Sequence, residues 1–489
     1  MATATEKLAG NINWSAFGKA TELKNRLLFT IGALLVFRLG TFLPIPGINT
    51  AALVQFFEQQ SSGILGVFDT FSGGALGRMG IFALGIMPYI SASIIMTLLQ
   101  SSIPSLKTLR EQGTKGRRQI IQYTRYLTVL ISALQGYGVA VGLESMQTTT
   151  GNIVIDPGLF FKITTVITLV GGTVFLMWLG EQISSRGVGN GISLIIAAGI
   201  IANLPGAVTN TLELGRTGEL PASFILFILL MALGLIVFIV FIEKGQRRLI
   251  VQYPKRQVGN KIYGGQSSHL PLKINTAGVI PVIFIVFFER AMRKILVNYP
   301  KRQVGNKIYG GDSSYLPLKI NTAGVIPAIF ASALLLLPIT LTNFGFTESD
   351  LSIKISSMFT QGQPLYMLLY ASGIIFFAFF YTSIVFNPKE TAENLRKYGG
   401  YIPGIRPGER TAEYIESILI RLTTVGSLYL TFVCLMPEFL IAKYPIPFYL
   451  GGTSILIVVV VAMDTVTQVQ TRLMSSQYES LIRKTKFGK

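Results

Sequence analysis

Residues 223–242 read SFILFILLMALGLIVFIVFI, twenty positions without a charge, and EKGQRR follows at once at 243–248. A helix of that length rises about 30 Å, the thickness of a bilayer's hydrocarbon core. Working outward from this run, nine further apolar stretches recur. The expected spans lie near 25–44, 79–99, 120–143, 159–180, 190–206, 223–242, 322–342, 365–385, 414–437 and 448–463. Segments 190–206 and 448–463 are short for a crossing, which predicts tilt or burial inside a bundle. Basic residues fill every second gap. Segments 1–26, 100–118, 181–189, 243–321, 386–413 and 467–489 hold 34 lysines and arginines, whereas the opposite loops hold few, Arg216, Lys354 and Lys443 among them. Short loops rich in Lys and Arg stay cytoplasmic, so both termini are expected on that side. The expected fold class is an all-α polytopic membrane protein.

Composition supports this reading. The 489 residues are 50% hydrophobic and 13% charged, with a mean hydropathy of +0.54, too apolar for a soluble domain of this size. Membrane orientation and anionic lipids account for much of the net charge of +19, and the surplus favours a docking surface for an acidic or ribonucleoprotein partner. A single cysteine, Cys434, excludes an internal disulfide and any multi-cysteine metal site. A single histidine, His269, makes a histidine metal cluster equally implausible. The polar segment 1–24 lacks the pattern of a cleaved signal, so the first span is expected to insert as an uncleaved anchor.

Energy-coupling and catalytic motifs are missing. Gly113-Thr114-Lys115-Gly116 lacks the spacing of a P-loop, and SRGVGNGIS (185–193) reads better as a closely packed helix start than as a phosphate cradle. One His and one Cys supply no nucleophilic triad, so the chain is not expected to be an enzyme, and another molecule or a gradient must drive any transport. Ionisable residues within or at the ends of the spans are few, with Arg38, Lys162, Arg421, Glu181 and Asp464 among them. Their ordinary roles are snorkelling or structural ion pairing, which argues against the competing reading, a secondary solute transporter. The stretch 50–78, ending in SSGILGVFDTFSGGALGR (61–78), is too apolar for a free loop and too broken for a crossing helix. A short segment folding back into the bundle would fit it, and an ordinary periplasmic loop is the alternative that composition alone favours.

A 46-residue tandem duplication interrupts the chain. YPKRQVGNKIYGGQSSHLPLKINTAGVIP (253–281) recurs as YPKRQVGNKIYGGDSSYLPLKINTAGVIP (299–327), differing only at Gln266/Asp312 and His269/Tyr315. Upstream the likeness weakens, with Glu243 aligned to Glu289. The second copy runs on into a full apolar stretch. The first meets Glu289, Arg290, Arg293 and Lys294 after a dozen apolar residues, about 18 Å of helix. Segment 243–321 is therefore expected to stay cytoplasmic, with 277–288 in the interface or against the bundle.

Several long motifs resemble the SecY family of protein-conducting channels. They are FSGGALGRMGIFALGIMPYISASIIMTLL (71–99), GEQISSRGVGNGISLII (180–196), AGVIPAIFASALLLLP (323–338), FNPKETAENLRKYGGYIPGIRPGERTAEYI (386–415) and FYLGGTSILIVVVVAMD (448–464). Their order and spacing match, and only one copy of the repeated block falls outside the resemblance.

The resemblance implies ten transmembrane helices in two inverted five-helix halves around a central hourglass pore. The halves divide as 1–206 and 322–466, separated by a periplasmic loop and sixth helix (207–242) and the cytoplasmic loop (243–321), with a tail at 467–489. It implies a pore ring of Ile86, Ile90, Ile192, Ile196, Ile329 and Ile457, because narrow rings of branched aliphatics exclude water. It implies a plug near 61–78 carrying Gly63, Phe68, Phe71, Gly73 and Gly74, and a lateral gate with Ser91, Ser93, Thr97, Asn321 and Thr322. Docking falls to Arg406, Arg302, Lys301, Arg256 and Lys255. Implied partners are the SecE and SecG subunits, the SecA motor ATPase, the ribosome, unfolded secretory and membrane protein chains, and anionic lipids. No cofactor is implied, and the location is a bacterial inner membrane.

Overall fold

The apolar runs fold as helices because lipid offers no partner to an exposed peptide group, so the backbone must satisfy itself within each segment. The computed structural model describes residues 21–50, 52–53, 69–145, 147–148, 151–218, 221–253, 256–258, 261–263, 302–304, 307–309, 312–319, 321, 324–345, 363–397, 401–443 and 451–486. Its helices are α1 (Thr21–Gly40), α2 (Met87–Ser102), α3 (Pro104–Glu111), α4 (Thr114–Ser145), α5 (Leu159–Arg186) and α6 (Gly191–Thr217). They continue with α7 (Ala222–Lys244), α8 (Ile326–Gly345), α9 (Pro364–Val385), α10 (Pro388–Lys397), α11 (Glu409–Lys443) and α12 (Gly452–Lys486). Each of the expected apolar stretches falls on one of these helices. Seven of them are long and apolar enough to cross a bilayer alone, and the pair α2 and α3, bent by 101°, makes an eighth if counted as one span. Helices α1 and α8, twenty residues each, account for the other two stretches.

Burial follows the membrane logic. On α7 a single stripe of Ile228, Leu235, Ile239 and Glu243 faces protein, while Leu229, Leu230, Leu233 and Val237 are exposed. In a bilayer those exposed residues face acyl chains. The first half (α1–α6) and the second half (α7–α12) meet along two seams. Helices α2 and α4 pack on α8 at one, and α1 and α6 pack on α12 at the other. The main apolar cluster draws on both halves, from Phe37 on α1 to Val461 on α12.

Three features differ from the sequence reading. The second span does not start at 79: residues 79–86 are turns, and α2 begins at Met87 with a proline in its first turn. The irregular backbone is satisfied by the chain leaving α1, through Ile45 N–H to the Met79 carbonyl (2.9 Å) and Ile81 N–H to the Leu43 carbonyl (2.9 Å). The two stretches read as short are long helices, since α6 continues to Thr217 and α12 to Lys486. The loop at 243–321 also contains strands. β3 (Gln246–Tyr253) pairs antiparallel with β8 (Asp312–Lys319), from Gln246 opposite Lys319 to Tyr253 opposite Asp312. Between them β4 (Arg256–Val258) pairs with β5 (Lys261–Tyr263), and β6 (Arg302–Val304) with β7 (Lys307–Tyr309). The two copies of the repeat thus form the same hairpin in the same register, and the second copy closes the stalk. A further two-residue ladder joins β1 (Gln147–Thr148) to β2 (Gly151–Asn152). Segment 277–288 lies outside the described residues.

Candidate functional site

The six isoleucines singled out in the sequence come from four helices. Ile86 and Ile90 belong to the start of α2, Ile192 and Ile196 to the first turns of α6, Ile329 to the first turn of α8, and Ile457 to α12. Ile86, Ile90, Ile196 and Ile457 are buried, Ile192 and Ile329 partly so, and all six belong to or pack against one apolar cluster. Ile86 is the N-cap of α2 (φ −98°, ψ 3°) and not a residue within a helical face. Its carbonyl still accepts from Ile90 N–H at 3.1 Å, which stacks the pair. Asn190 caps α6, its side chain accepting from Ile192 N–H at 3.2 Å, and so fixes where Ile192 and Ile196 begin.

Of the expected plug residues, Gly63 and Phe68 lie outside the described residues. Phe71 is buried in the same cluster as the isoleucines. Gly73 (φ +73°) and Gly74 (φ +82°) adopt the left-handed conformation that side chains disfavour. They turn the chain so that its backbone lies directly on α6: a Cβ on Gly199 would sit 2.9 Å from the Phe71 carbonyl oxygen and 3.2 Å from the Gly73 nitrogen. Ser72 Oγ accepts from Leu76 N–H (3.1 Å), and Asp69 Oδ1 accepts from Gly77 N–H (2.7 Å). Asn203 on α6 donates to the Asp69 carbonyl at 3.4 Å.

Helices α2 and α8 pack together, and of the expected gate residues Ser91, Ser93 and Thr97 lie on α2 and Asn321 just before α8. Ser91 is buried and Ser93 half-buried. Thr97 spends its hydroxyl on the Ser93 carbonyl at 2.7 Å, the back-bonding common for threonine in a span. Asn321 is buried and does more than polar lining. Its Nδ2 donates to Glu243 Oε1 (2.6 Å) and to the Gly324 carbonyl (3.1 Å), and its Oδ1 accepts from Gly324 N–H (3.1 Å). The end of α7 is thereby clamped to the start of α8. Glu243 escaped the sequence reading as a site residue, although its alignment with Glu289 was visible. Thr322 lies outside the described residues.

On the docking side, Arg406 is exposed on a turn shaped by Gly404 (φ +80°) and Gly408 (φ +112°). The turn is tied down by Thr411 Oγ1, which donates to the Arg406 carbonyl at 2.9 Å, and by Ile402, buried against Ile415 and Leu419. Arg256 and Arg302 occupy equivalent positions in β4 and β6. Lys255 and Lys301 lie outside the described residues.

The glycine-rich SRGVGNGIS turn has its N–H groups committed to protein side chains. Val188 N–H goes to Thr30 Oγ1 (3.1 Å), Gly189 N–H to Gln468 Oε1 (3.0 Å) and Gly191 N–H to Ser184 Oγ (2.9 Å). A phosphate cradle needs those donors free; here they tie α1, α5, α6 and α12 together. Two of the intramembrane charges are structural ion pairs, Arg125 with Glu181 through two hydrogen bonds (2.6 and 2.9 Å) and Lys162 with Glu144 at 2.9 Å.

The SecY family model matches residues 80–285 and again 282–466. The chain belongs to the SecY family. The two matches overlap at 282–285, and each carries one copy of the repeated loop, so the family pattern is restarted within the duplication. The chain is 52% identical over 467 residues to the protein translocase subunit SecY of Rickettsia bellii, covering 96% of this chain and 97% of the relative. It is 50% identical over 472 residues to that of Escherichia coli K12, covering 96% of each. Among solved structures it is similar to a protein-conducting channel, with a TM-score of 0.58 at 17% identity over 91% of this chain and 92% of that one. It is similar also to Sec61 in the canine ribosome-channel complex, at 0.55 and 17% over 91% and 92%. SecY-family chains are the protein-conducting subunit of a translocation channel and not enzymes. This chain is accordingly a multi-pass channel protein with a helical membrane domain, and the solute-transporter reading has no support.

Proposed function

We propose that Ile86, Ile90, Ile192, Ile196, Ile329 and Ile457 form the waist of the channel, closed at rest by a plug that includes Phe71, Gly73 and Gly74. The supporting observation is that all six isoleucines belong to or pack against one apolar cluster that also holds Phe71. An aliphatic constriction excludes water by dewetting, and it yields to an extended polypeptide because it fixes no hydrogen bonds to particular side chains. The seam between α2 and α8, with Ser91, Ser93, Thr97 and Asn321, is the exit for apolar segments into lipid. Both termini lie in the cytoplasm of a bacterial cell, with the protein in the inner membrane. The basic loops, Arg406 foremost, meet the SecA motor and the ribosome, because an exposed guanidinium on a stiff turn suits carboxylates and phosphates alike. SecE and SecG complete the assembly, and anionic lipids neutralise part of its positive face. The deciding experiment is crosslinking of a stalled secretory chain to a photoreactive residue at position 192. Adducts are expected there and not at the lipid-facing Leu233; equal labelling of both refutes the waist.

A further inference from the structure

Arg38 lies in the last turn of α1 and was left by the sequence as a snorkelling or ion-paired residue. Its hydrogen-bond partner is a main-chain carbonyl. Its Nη1 donates to the Gly73 carbonyl at 2.6 Å, across 35 positions of chain. Its guanidinium lies over the Phe42 ring at 4.7 Å, and that of Arg78 lies over the same ring at 4.3 Å. Asp69 is the carboxylate among the charged neighbours of both arginines, and its own Oδ1 is engaged by Gly77 N–H. The buried Nη1 of Arg78 finds no hydrogen-bond acceptor among the described residues. One aromatic ring thus aligns two cations, one from α1 and one from the end of the plug segment.

We infer that Arg38, aligned by Phe42 and facing Arg78, is a latch: a positioning residue that holds the plug shut by gripping the Gly73 carbonyl. This rests on the reading of 69–78 as plug. The grip depends on backbone geometry, because the left-handed Gly73 presents its carbonyl toward α1 where an ordinary residue would be strained. A charge-assisted hydrogen bond to a carbonyl is among the stronger single contacts available to a protein. It is also directional, so it sets where the plug sits as well as how tightly. When the plug leaves, Arg38 loses this carbonyl, and the α1–plug contact is broken as a unit.

The test uses the full chain, purified in its native assembly and reconstituted into vesicles, with ion flux through the resting channel as readout. Three variants are compared: Arg38→Met, which keeps length and loses the donors; Arg38→Lys, which keeps a charged donor; and deletion of 69–78. Arg38→Met should raise the open-to-closed ratio by about tenfold to a hundredfold, the size of a charge-assisted hydrogen bond. Arg38→Lys should recover most of the closure, and the deletion should leak most. Hydrogen exchange supplies a second readout, in which Arg38→Met speeds the amides of Gly73–Gly80 and leaves those of α5 and α9 unchanged. Should Arg38→Met fail to assemble, Phe42→Leu removes the aligning ring and should leak to an intermediate degree. A leaking deletion beside a tight Arg38→Met, or beside a tight Phe42→Leu, overturns the latch and spares the plug. A tight deletion overturns the plug reading and the latch with it.

Discussion

Substituting Gly199 by alanine separates helix stability from channel closure, because the two should move in opposite directions. Gly199 is buried in α6, where alanine favours the helix by about 1 kcal/mol. The added methyl, however, would stand 2.9 Å from the Phe71 carbonyl oxygen, 3.2 Å from the Gly73 nitrogen and 3.5 Å from the Gly73 Cα. All three atoms are backbone, and no side chain can swing aside to relieve the contact. The chain at 71–73 is held by Ser72 and Asp69 on one side and by the left-handed glycines on the other, so it must lift as a body. Overpacking of this kind costs about 1–3 kcal/mol. The whole of that cost falls on the closed state, since a displaced plug leaves Gly199 free. The closed-to-open ratio should therefore fall roughly 5- to 150-fold. The assay is resting ion conductance of the reconstituted channel, alongside the thermal midpoint of the detergent-solubilised protein. A raised conductance is expected, with a midpoint unchanged or lowered only by the net of about 0–2 kcal/mol that remains once the helix gain is set against the contact. Conductance equal to that of the parent, in a preparation where deletion of 69–78 leaks, would refute the claim that the plug backbone rests on Gly199.

Three further outcomes follow from contacts elsewhere. Glu243→Ala should destabilise the protein by about 1–3 kcal/mol by leaving an Nδ2 hydrogen of the buried Asn321 without its acceptor, while Glu243→Gln should cost less. Thermal midpoints check the order, and equal losses would show that the Asn321 contact carries no weight. In a Cys434→Ala background, Ile250→Cys with Tyr315→Cys should oxidise to a disulfide, because the two positions are opposite in the β3–β8 ladder. Preferential crosslinking of Ile250→Cys with His269→Cys would mean that the first copy closes the stalk. Removing residues 256–301, one repeat length, leaves β3, the β6–β7 hairpin and β8 intact, so the shortened chain should assemble and still form the 250–315 disulfide. Loss of that disulfide would show that the stalk needs both copies.

The apolar spans were legible because lipid imposes one rule on every crossing segment, and hydropathy reports that rule directly. Where the rule relaxes, legibility fails. Residues 79–86 are as apolar as a helix, yet they are turns, because the chain leaving α1 supplies partners for their peptide groups. Hydropathy records burial and is blind to who satisfies the backbone. Arg38 was missed for the same reason: its partner is the Gly73 carbonyl, and main-chain acceptors leave no mark on composition. The glycines of SRGVGNGIS were read correctly as packing, and the structure adds why, since Thr30, Ser184 and Gln468 already occupy the donors. The stalk strands were not anticipated, although QRRLIVQY (246–253) carries β-branched and aromatic positions, and the sequence leaves the partner of β3 ambiguous. Two nearly identical segments, 266–273 and 312–319, compete for β3 in the sequence, and only the second leads directly into α8.

The proposed waist and the plug seat share α6. Ile192 and Ile196 occupy its first two turns, and Gly199, on which the plug backbone rests, is three residues beyond Ile196, about 4.5 Å along the axis. Phe71 and Ile196 belong to the same apolar cluster. A polypeptide that pushes Ile196 outward must therefore shift or tilt the helix face that seats the plug, and a plug that departs removes packing from behind the ring. In a close-packed interior such neighbours move together. Opening of the waist and release of the plug are on this geometry one event, resisted jointly by packing at Gly199 and by the Arg38 contact to the Gly73 carbonyl.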